Sequence, residues 1–505
     1  MIGASFLPFP EIFNQLRDIL RASGPVYLVG GAVRDILLGR PTHDLDFVLY
    51  GDVRFVAKNV ADTLSASLYV LDNERNTYRV INYQNDGSRL LLDFAALRAG
   101  DLEHDLRGRD FTINAIALDP FSPDTLIDPL DGELDLKRHR LKACSSYSFI
   151  DDPARILRGV RLAMDLKFEI QPATFAEMKK SAGSLNSVAA ERKRDELFKM
   201  LDGNNLDVAM RMLDQLGALP ATLPELAELK GVAQSPPHIF DVWEHTLSVI
   251  PELNCLFSII VDGNQAEDYI SNPIWNLAQQ KLGQFQNRFK EHFSNWLNPE
   301  RSRFSLLALS ALYHDIAKPA TSSLDTNGRI RFFEHEMIGA RIAAFRGREL
   351  ALSQIEIEYL VTTVRHHMRP HFLENATNGI TRRAIYHFFK DTGEVGVDIC
   401  LLSLADVLAT YGPAISEEHW IFKLEICQTL LSAWWDKPGD LVRPVRLLTG
   451  DDLQSYFGLK PGRLIGELLE ALREAQACGE ITNHSAAIKF VQSWLETDGT
   501  MSVKG

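Results

Sequence analysis

Cysteine is scarce in this chain. There are five among 505 residues, Cys144, Cys255, Cys400, Cys427 and Cys478, scattered and with no CxxC pair. An odd, dispersed set argues against a disulfide framework and a zinc-thiolate site, and suits a reducing compartment. Long hydrophobic runs are also missing: no uninterrupted apolar run reaches the ~20 residues that a membrane helix needs. The opening residues MIGASFLPFPEIF have no basic start, long apolar stretch or small-residue cleavage site, so no secretory leader is expected. A cytoplasmic protein without a membrane partner is the expectation. Repeats and low-complexity tracts are absent as well.

Net positive charge is lacking too. The formal balance is −14, the wrong sign for a chain that holds nucleic acid throughout its length, since phosphate contacts need Lys and Arg. The distribution qualifies this. Residues 151–200 carry ten Lys/Arg against eight Asp/Glu, a locally positive segment that either tracks one RNA strand or is a solvated helix face.

The length of 505 residues exceeds what one core organises and suggests about three units. Strand-like apolar runs fall at Val26–Val29, Leu45–Leu49, Ser67–Leu71, Tyr78–Tyr83 and Leu90–Phe94, with helical period at Ala32–Leu38 and Arg54–Ser67. After Cys144 helical period dominates. The spacing predicts a small α+β head with a mixed sheet over 1–143 and a helical neck over 144–235. A helical domain over 236–438 and a helical tail over 439–505 follow. Within the third part, 253–303 is polar and rich in Gln, Asn and Phe, and reads as an insertion free to loop out.

The most informative stretch is LVGGAVRDILLGRPTHDLDFVL, residues 28–49. Gly30 and Gly31 end a strand and open a helix, where bare backbone N–H groups can approach a triphosphate. Asp44 and Asp46 alternate on a strand, so both side chains take one face. Two carboxylates on one face can hold two Mg²⁺ ions, one near the attacking hydroxyl and one near the leaving pyrophosphate. Singly, a GG turn and a solvated DxD are ordinary; their order and spacing make the combination specific. Asp93, in RLLLDFAAL, is the candidate third carboxylate, or else a strand-end cap.

This stretch resembles the head of the tRNA nucleotidyltransferase/poly(A) polymerase superfamily, bacterial type. Three further blocks follow in that family's order. GRDFTINA (108–115) resembles its RRDFTxNA motif, with Gly108 in place of the first Arg; DPLDG (128–132) resembles its hinge; DDPARILRGVR (151–161) resembles its EDxxRxxR nucleotide-template motif, with Asp151 in place of Glu. The resemblance implies that Asp44, Asp46 and Asp93 are catalytic. It implies that Gly30, Gly31, Arg34, Arg109, Asp110 and Asn114 hold ribose and triphosphate, and that Asp152 and Arg155, with Arg158 one turn on, read the base of CTP or ATP. A helix N-cap reading competes for Asp152, which precedes Pro153. Arg192, Lys193 and Arg194 resemble the family's following neck helix and would meet RNA. The implied partner is the 3′ end of a tRNA. Only AALRAGDLEHDLR separates the strand at Leu90–Phe94 from GRDFTINA. In the family a shortened loop here goes with enzymes that add two cytidines and stop, leaving the terminal A to a separate A-adding enzyme; full CCA synthesis or repair stays open beside that reading.

His245 in DVWEHTL, His314–Asp315 in LYHDIAKP and Asp406 in LADVLA follow the H…HD…D order and resemble the HD phosphohydrolase superfamily. Imidazole and carboxylate together bind a divalent metal. His335 and His366 are candidate extra ligands, and Lys318 is placed to neutralise a phosphate. Phosphatase or phosphodiesterase activity is implied. Two other readings stand beside tRNA nucleotidyl transfer. A poly(A) polymerase would call for a strongly basic tail, but 441–505 carry seven Lys/Arg against eight Asp/Glu. The other is an HD metal phosphohydrolase whose head merely binds nucleotides; a bare RNA-binding scaffold would need the DxD to be inert.

Overall fold

The computed structural model describes residues 10–22, 24–73, 76–84, 88–122, 126–264, 271–373 and 379–497. Residues 1–9, part of the opening segment read above for a leader, and 265–270 of the polar segment lie outside them, as does the end of the expected tail. The chain divides into two compact units. Met1–Glu196 with Arg211–Thr222 forms the first, and Leu197–Met210 with Leu223–Gly505 the second.

The first unit is built on a seven-stranded sheet of β1 (Val26–Val29), β2 (Asp44–Leu49), β3 (Ser67–Asp72), β4 (Thr77–Tyr83), β5 (Arg89–Ala96), β6 (Ala117–Leu118) and β7 (Leu126–Ile127). The strand order is β3-β4-β5-β2-β1-β6-β7. Among the described strands of this sheet only the β2–β5 pair is parallel. Five strands stand where the apolar runs predict them. The other two, β6 and β7, are two residues long, too short for any period to show.

Alternation along β2 decides the placement of the acids. Leu45, Phe47 and Leu49 are buried, and the Phe47 ring stacks on Phe94 directly opposite on β5, centroids 5.1 Å apart. Phe13 of the helix Pro10–Ala22 packs edge-on against Phe47. With that face committed to the core, Asp44 and Asp46 take the other. A slip of one residue would turn both acids into the hydrophobic core.

The helix Arg155–Leu166 buries Ile156, Leu157, Val160 and Ala163. It approaches the GRDFTINA segment closely at Gly159, where a β-carbon would lie 2.8 Å from the Phe111 ring. Burying that stripe leaves Arg155, Arg158 and Arg161 less enclosed.

The second unit is helical, apart from a hairpin Ser322–Leu324/Ile330–Phe332 that the helical period conceals. At its centre lies Val395–Tyr411, buried almost throughout. Among the described residues this is the one helix region long and apolar enough to cross a membrane, and 83% of its apolar window is buried inside the unit. Its Asp398 is enclosed by Arg303 (2.9 Å), His292 (2.7 Å) and Tyr359 (2.8 Å). Burial opposes ionisation of Asp398, but Arg303 and His292 hold its carboxyl well below the usual range.

His292 comes from the polar segment, which therefore does not loop out. Its helices Pro273–Leu282 and Gln286–Ser294 are keyed into the core by that His292–Asp398 contact, by Phe289 against Trp435, and by the Trp420 indole N–H donating to the Ile274 carbonyl. A separate apolar cluster from Leu448 to Val491 joins the last three helices.

Candidate active site

Strands β1, β2 and β5 bring the first set of candidates together. Asp46 pairs in register with Asp93 across β2–β5 and with Val29 across β1–β2, so the turn at Gly30 begins beside Asp46. Gly30 has φ +72°, and a β-carbon there would fall 3.1 Å from both Asp46 Oδ2 and Arg109 Nη1. Only glycine leaves that space open. Gly31 differs: it opens the helix Gly31–Leu37, and a β-carbon there would make ordinary contact with Arg34 at 3.5 Å.

Burial, followed by the nearby Asp93 charge, pushes the Asp46 carboxyl up to about 6, against the pull of Arg109 and Arg158. Carboxylates crowded in this way favour a bound cation, which fits a divalent metal with oxygen ligands. Asp93 is gripped by a residue that sequence reasoning missed. Arg79 on β4 donates from Nε and Nη2 to both Asp93 oxygens, each at 2.8 Å. Its signal was cross-strand register, which no sequence period reveals: Arg79 lies opposite Asp93.

A chain of polar contacts leads away from the acids. Arg109 is tied to the buried Asp105 at 3.0 Å. Arg34 holds Asp35 through two hydrogen bonds and donates to Asn114 Oδ1 at 2.8 Å; Asn114 donates to Asp110 at 3.1 Å. Arg158 Nε lies 2.6 Å from Asp110 Oδ2. Burial opposes Asp110 ionisation, but Arg158, the Asn114 amide and the Phe111 N–H together lower its pKa.

The template candidates already have protein partners. Arg155 donates to the carbonyls of Gly108 (2.8 Å), Arg109 (3.1 Å) and Ser148 (3.4 Å). Asp152 accepts from the Ala154 N–H, a local cap, and from Arg192 at 2.8 Å. Lys193 donates to the Ala221 carbonyl and Arg194 pairs with Asp195.

The second unit gathers the other set. His245 Nε2 lies 3.0 Å from Asp406 Oδ1 and 3.6 Å from Asp315 Oδ2; His314 Nε2 lies 3.2 Å from Asp315 Oδ2. All four are buried. Lys318 Nζ sits 2.5 Å from Asp315 and also donates to Gln234 at 2.6 Å. Burial opposes Asp315 ionisation, but His314, Lys318 and His335 hold its pKa well below the carboxylate range.

His335 joins this cluster, 3.4 Å from Asp315 Oδ1. The expectation for His366 is corrected. It is His367, one residue on, that turns into the cluster, fully enclosed and 3.9 Å from Asp315 Oδ1. One residue is ~100° of helical rotation, and the buried stripe carrying Tyr359, Leu360, Thr363 and Val364 leads to position 367. His371 also escaped the sequence reading; it lies 3.1 Å from Asp406 Oδ2.

Comparison with known proteins covers both units. Residues 26–142 match the poly A polymerase head domain, 167–230 the probable RNA and SrmB-binding site of polymerase A, and 291–411 the HD domain. The HD match begins after His245, which the fold nonetheless delivers to the cluster. The A-adding tRNA nucleotidyltransferase of Deinococcus radiodurans is 31% identical, over 93% of this chain and 95% of the relative. The CC-adding tRNA nucleotidyltransferase of Thermus thermophilus is also 31% identical, over 92% and 93%. A solved CCA-adding enzyme in complex with CTP has a similar fold, with a TM-score of 0.61 at 20% identity, covering 98% of each chain. On full-length relatives at this identity, the chain belongs to the tRNA nucleotidyltransferase family.

Proposed function

We propose that this chain extends the 3′ end of tRNA by two cytidylates and stops, so that a separate enzyme adds the terminal adenosine. The observation that carries nucleotidyl transfer is the in-register Asp46–Asp93 pair beside the open space at Gly30. The 3′-hydroxyl oxygen of the RNA attacks the α-phosphorus of CTP, the bond to the pyrophosphate oxygen breaks, and the hydroxyl proton leaves to solvent. Asp44, Asp46 and Asp93 are the proposed metal-holding carboxylates. Magnesium held there would favour the alkoxide and neutralise the departing pyrophosphate.

Gly30 and Gly31 leave room for the triphosphate, and Arg34, Arg109, Asp110 and Asn114 are its proposed neighbours. Asp152 and Arg155, with Arg158, are the proposed base readers. An incoming base competes there with Arg192 and with the carbonyls that Arg155 now holds. We assign 1–143 as head, 144–235 as neck, 236–438 as HD-type domain and 439–505 as tail.

Specificity for cytidine is supported by the connection after β5. It is folded into a turn Arg98–Gly100 and a helix Leu102–Arg107, with Arg98 donating to the Gly108 carbonyl, which leaves little chain for a long mobile loop. The A-adding relative favours a second reading, addition of adenosine to a tRNA that already ends in CC. Incorporation of labelled CTP and ATP into tRNA ending before, within and after CCA decides between them. Two cytidines on the shortest substrate and none of the adenosine are expected. Efficient A addition to tRNA ending in CC overturns the cytidine assignment, and no incorporation on any substrate overturns nucleotidyl transfer.

We also propose that His245, His314, Asp315 and Asp406 hold a divalent metal. The fit rests on their buried convergence, and on His314 Nε2 and Asp315 Oδ1, which have no hydrogen-bond partner.

A further inference from the structure

Tyr386, Phe389 and Lys390 stand three to four residues apart on the helix Arg382–Thr392, so they share one face. That face meets the helix Arg463–Cys478 at Glu470, to which the Tyr386 hydroxyl donates at 2.8 Å and from which Lys390 Nζ lies 2.7 Å away. Arg382 Nε donates to the Ala477 carbonyl at 2.8 Å, and Arg383 Nε lies 2.9 Å from Glu474, so the two helices are fastened at several points. The turn Pro438–Val442 and the residues after it close a third side. A cavity of about 450 Å³ lies between these walls, within the second unit.

Its lining is cationic, in a chain whose formal charge is −14. Lys390, Arg443, Arg446 and Arg473 face a single carboxylate, Glu470. That carboxylate is already divided among Lys390, Arg473 at 3.6 Å and the Tyr386 hydroxyl. Burial opposes its ionisation, but Lys390 and Tyr386 hold its pKa below the usual value. The Arg443 guanidinium rests over the Trp434 ring, 4.8 Å from the centroid. Among the described residues neither Arg443 nor Arg446 has a carboxylate partner. Four cations around one engaged acid, between low-dielectric walls, focus a positive potential into the cavity that a bound anion would relieve.

The surroundings select among anions. Acids stand just beyond the cavity on every wall: Asp391 beside Lys390, Glu474 beside Arg473, and Asp440 two residues before Val442, each paired with an arginine. An RNA strand needs a basic track that follows successive phosphates, and here such a track would run into carboxylates. A compact polyphosphate needs the cavity alone. Tyr386, Phe389, Val442 and Pro444 add an apolar wall that inorganic phosphate would not use and a nucleoside would. We propose that this cavity binds a free nucleoside triphosphate at an auxiliary site, separate from Asp44 and Asp46 of the first unit. The guanidinium forks of Arg443 and Arg446, with Lys390 and Arg473, hold the phosphates, and the nucleoside lies against the apolar wall.

The test is equilibrium dialysis of the full chain against labelled ATP in EDTA, which removes the divalent ions on which nucleotide binding at the head would draw. A metal-independent equivalent of ATP per chain is expected. Arg443 and Arg446 are exposed, so Arg443→Gln with Arg446→Gln should keep the melting temperature and weaken that equivalent about a hundredfold, roughly tenfold for each guanidinium lost. Arg446→Gln alone should weaken it about tenfold, and serves if the double variant melts early. No metal-independent ATP, or an affinity that neither variant changes, overturns the site. Inorganic tripolyphosphate should compete less well than ATP; equal competition refutes the role of the apolar wall. A single-stranded oligoribonucleotide that displaces ATP, binds more tightly than it and is weakened by the same substitutions would replace the free nucleotide with an RNA strand.

Discussion

Gly30 and Gly31 look equivalent in the sequence but differ in the structure, and alanine at each position should separate two roles. At Gly30 the backbone has φ +72° and ψ −138°, a conformation that costs a side-chain-bearing residue ~1–3 kcal/mol. The added methyl would also meet Asp46 Oδ2 and Arg109 Nη1 at 3.1 Å, forcing each to yield by a few tenths of an ångström. Each kcal/mol lowers the melting temperature by ~2–4 °C in a unit of ~150–250 residues, so Gly30→Ala should melt the first unit several degrees early. At Gly31 the backbone is helical and the methyl makes an ordinary contact, so Gly31→Ala should be neutral or gain up to ~1 kcal/mol from helix propensity. Differential scanning calorimetry reads the stability, and initial rates of CTP incorporation read the function. Gly30→Ala should lose both. Gly31→Ala should keep its stability and raise the KM for CTP, because a methyl intrudes only when triphosphate approaches the backbone. Equal melting temperatures in the two variants would refute the distinction.

Other perturbations test other parts of the account. Replacing Arg79 removes the fork on Asp93: Arg79→Ala should raise the Mg²⁺ concentration for half-maximal transfer several-fold, and Arg79→Lys, which keeps charge but not bidentate geometry, should fall between. An unchanged Mg²⁺ titration in both denies Arg79 a positioning role. Asp398→Asn leaves the buried Arg303 with only the half-exposed Glu394 as its anion and should cost up to ~3–5 kcal/mol, seen as an earlier denaturant transition of the second unit; a change below ~1 kcal/mol would show that the network is not needed. Because the metal-free Asp46 carboxyl stands at about 6, protons compete with Mg²⁺ below that pH. The apparent Mg²⁺ affinity should therefore be steady above about 6 and weaken on acidification through it, whereas a flat profile from pH 7 to 5 contradicts the shift.

The parts of the site legible in the sequence are those written in local period. Asp44 and Asp46 alternate with Leu45 and Phe47, so the strand, its buried face and its acidic face follow from adjacent residues alone. Asp93 was found because an apolar run places it on a neighbouring strand, but its alignment with Asp46 depends on the parallel register that the Phe47–Phe94 stack accompanies. Arg79 was illegible for the same reason, being defined by a cross-strand pairing. In the second unit, His245, His314, Asp315 and Asp406 were found by their order. Choosing between His366 and His367 required the phase at a helix end, and His371 required the path of the chain beyond it. The polar segment was misleading because its buried groups, among them His292, Phe289 and Phe293, are diluted among Gln and Asn. Two of them have partners more than a hundred residues away: Asp398 for His292 (106 residues) and Trp435 for Phe289.

The central claim is that a metal-holding acidic face on β2 performs nucleotidyl transfer, and Asp46→Ala tests it most directly. Single-turnover incorporation of labelled CMP into tRNA lacking its terminal CCA should fall about a thousandfold or more, since metal stabilisation of the transition state is worth several kcal/mol and each ~1.4 kcal/mol is tenfold in rate. The melting profile should be retained. A folded Asp46→Ala chain that transfers CMP within about tenfold of the parent rate would contradict the account.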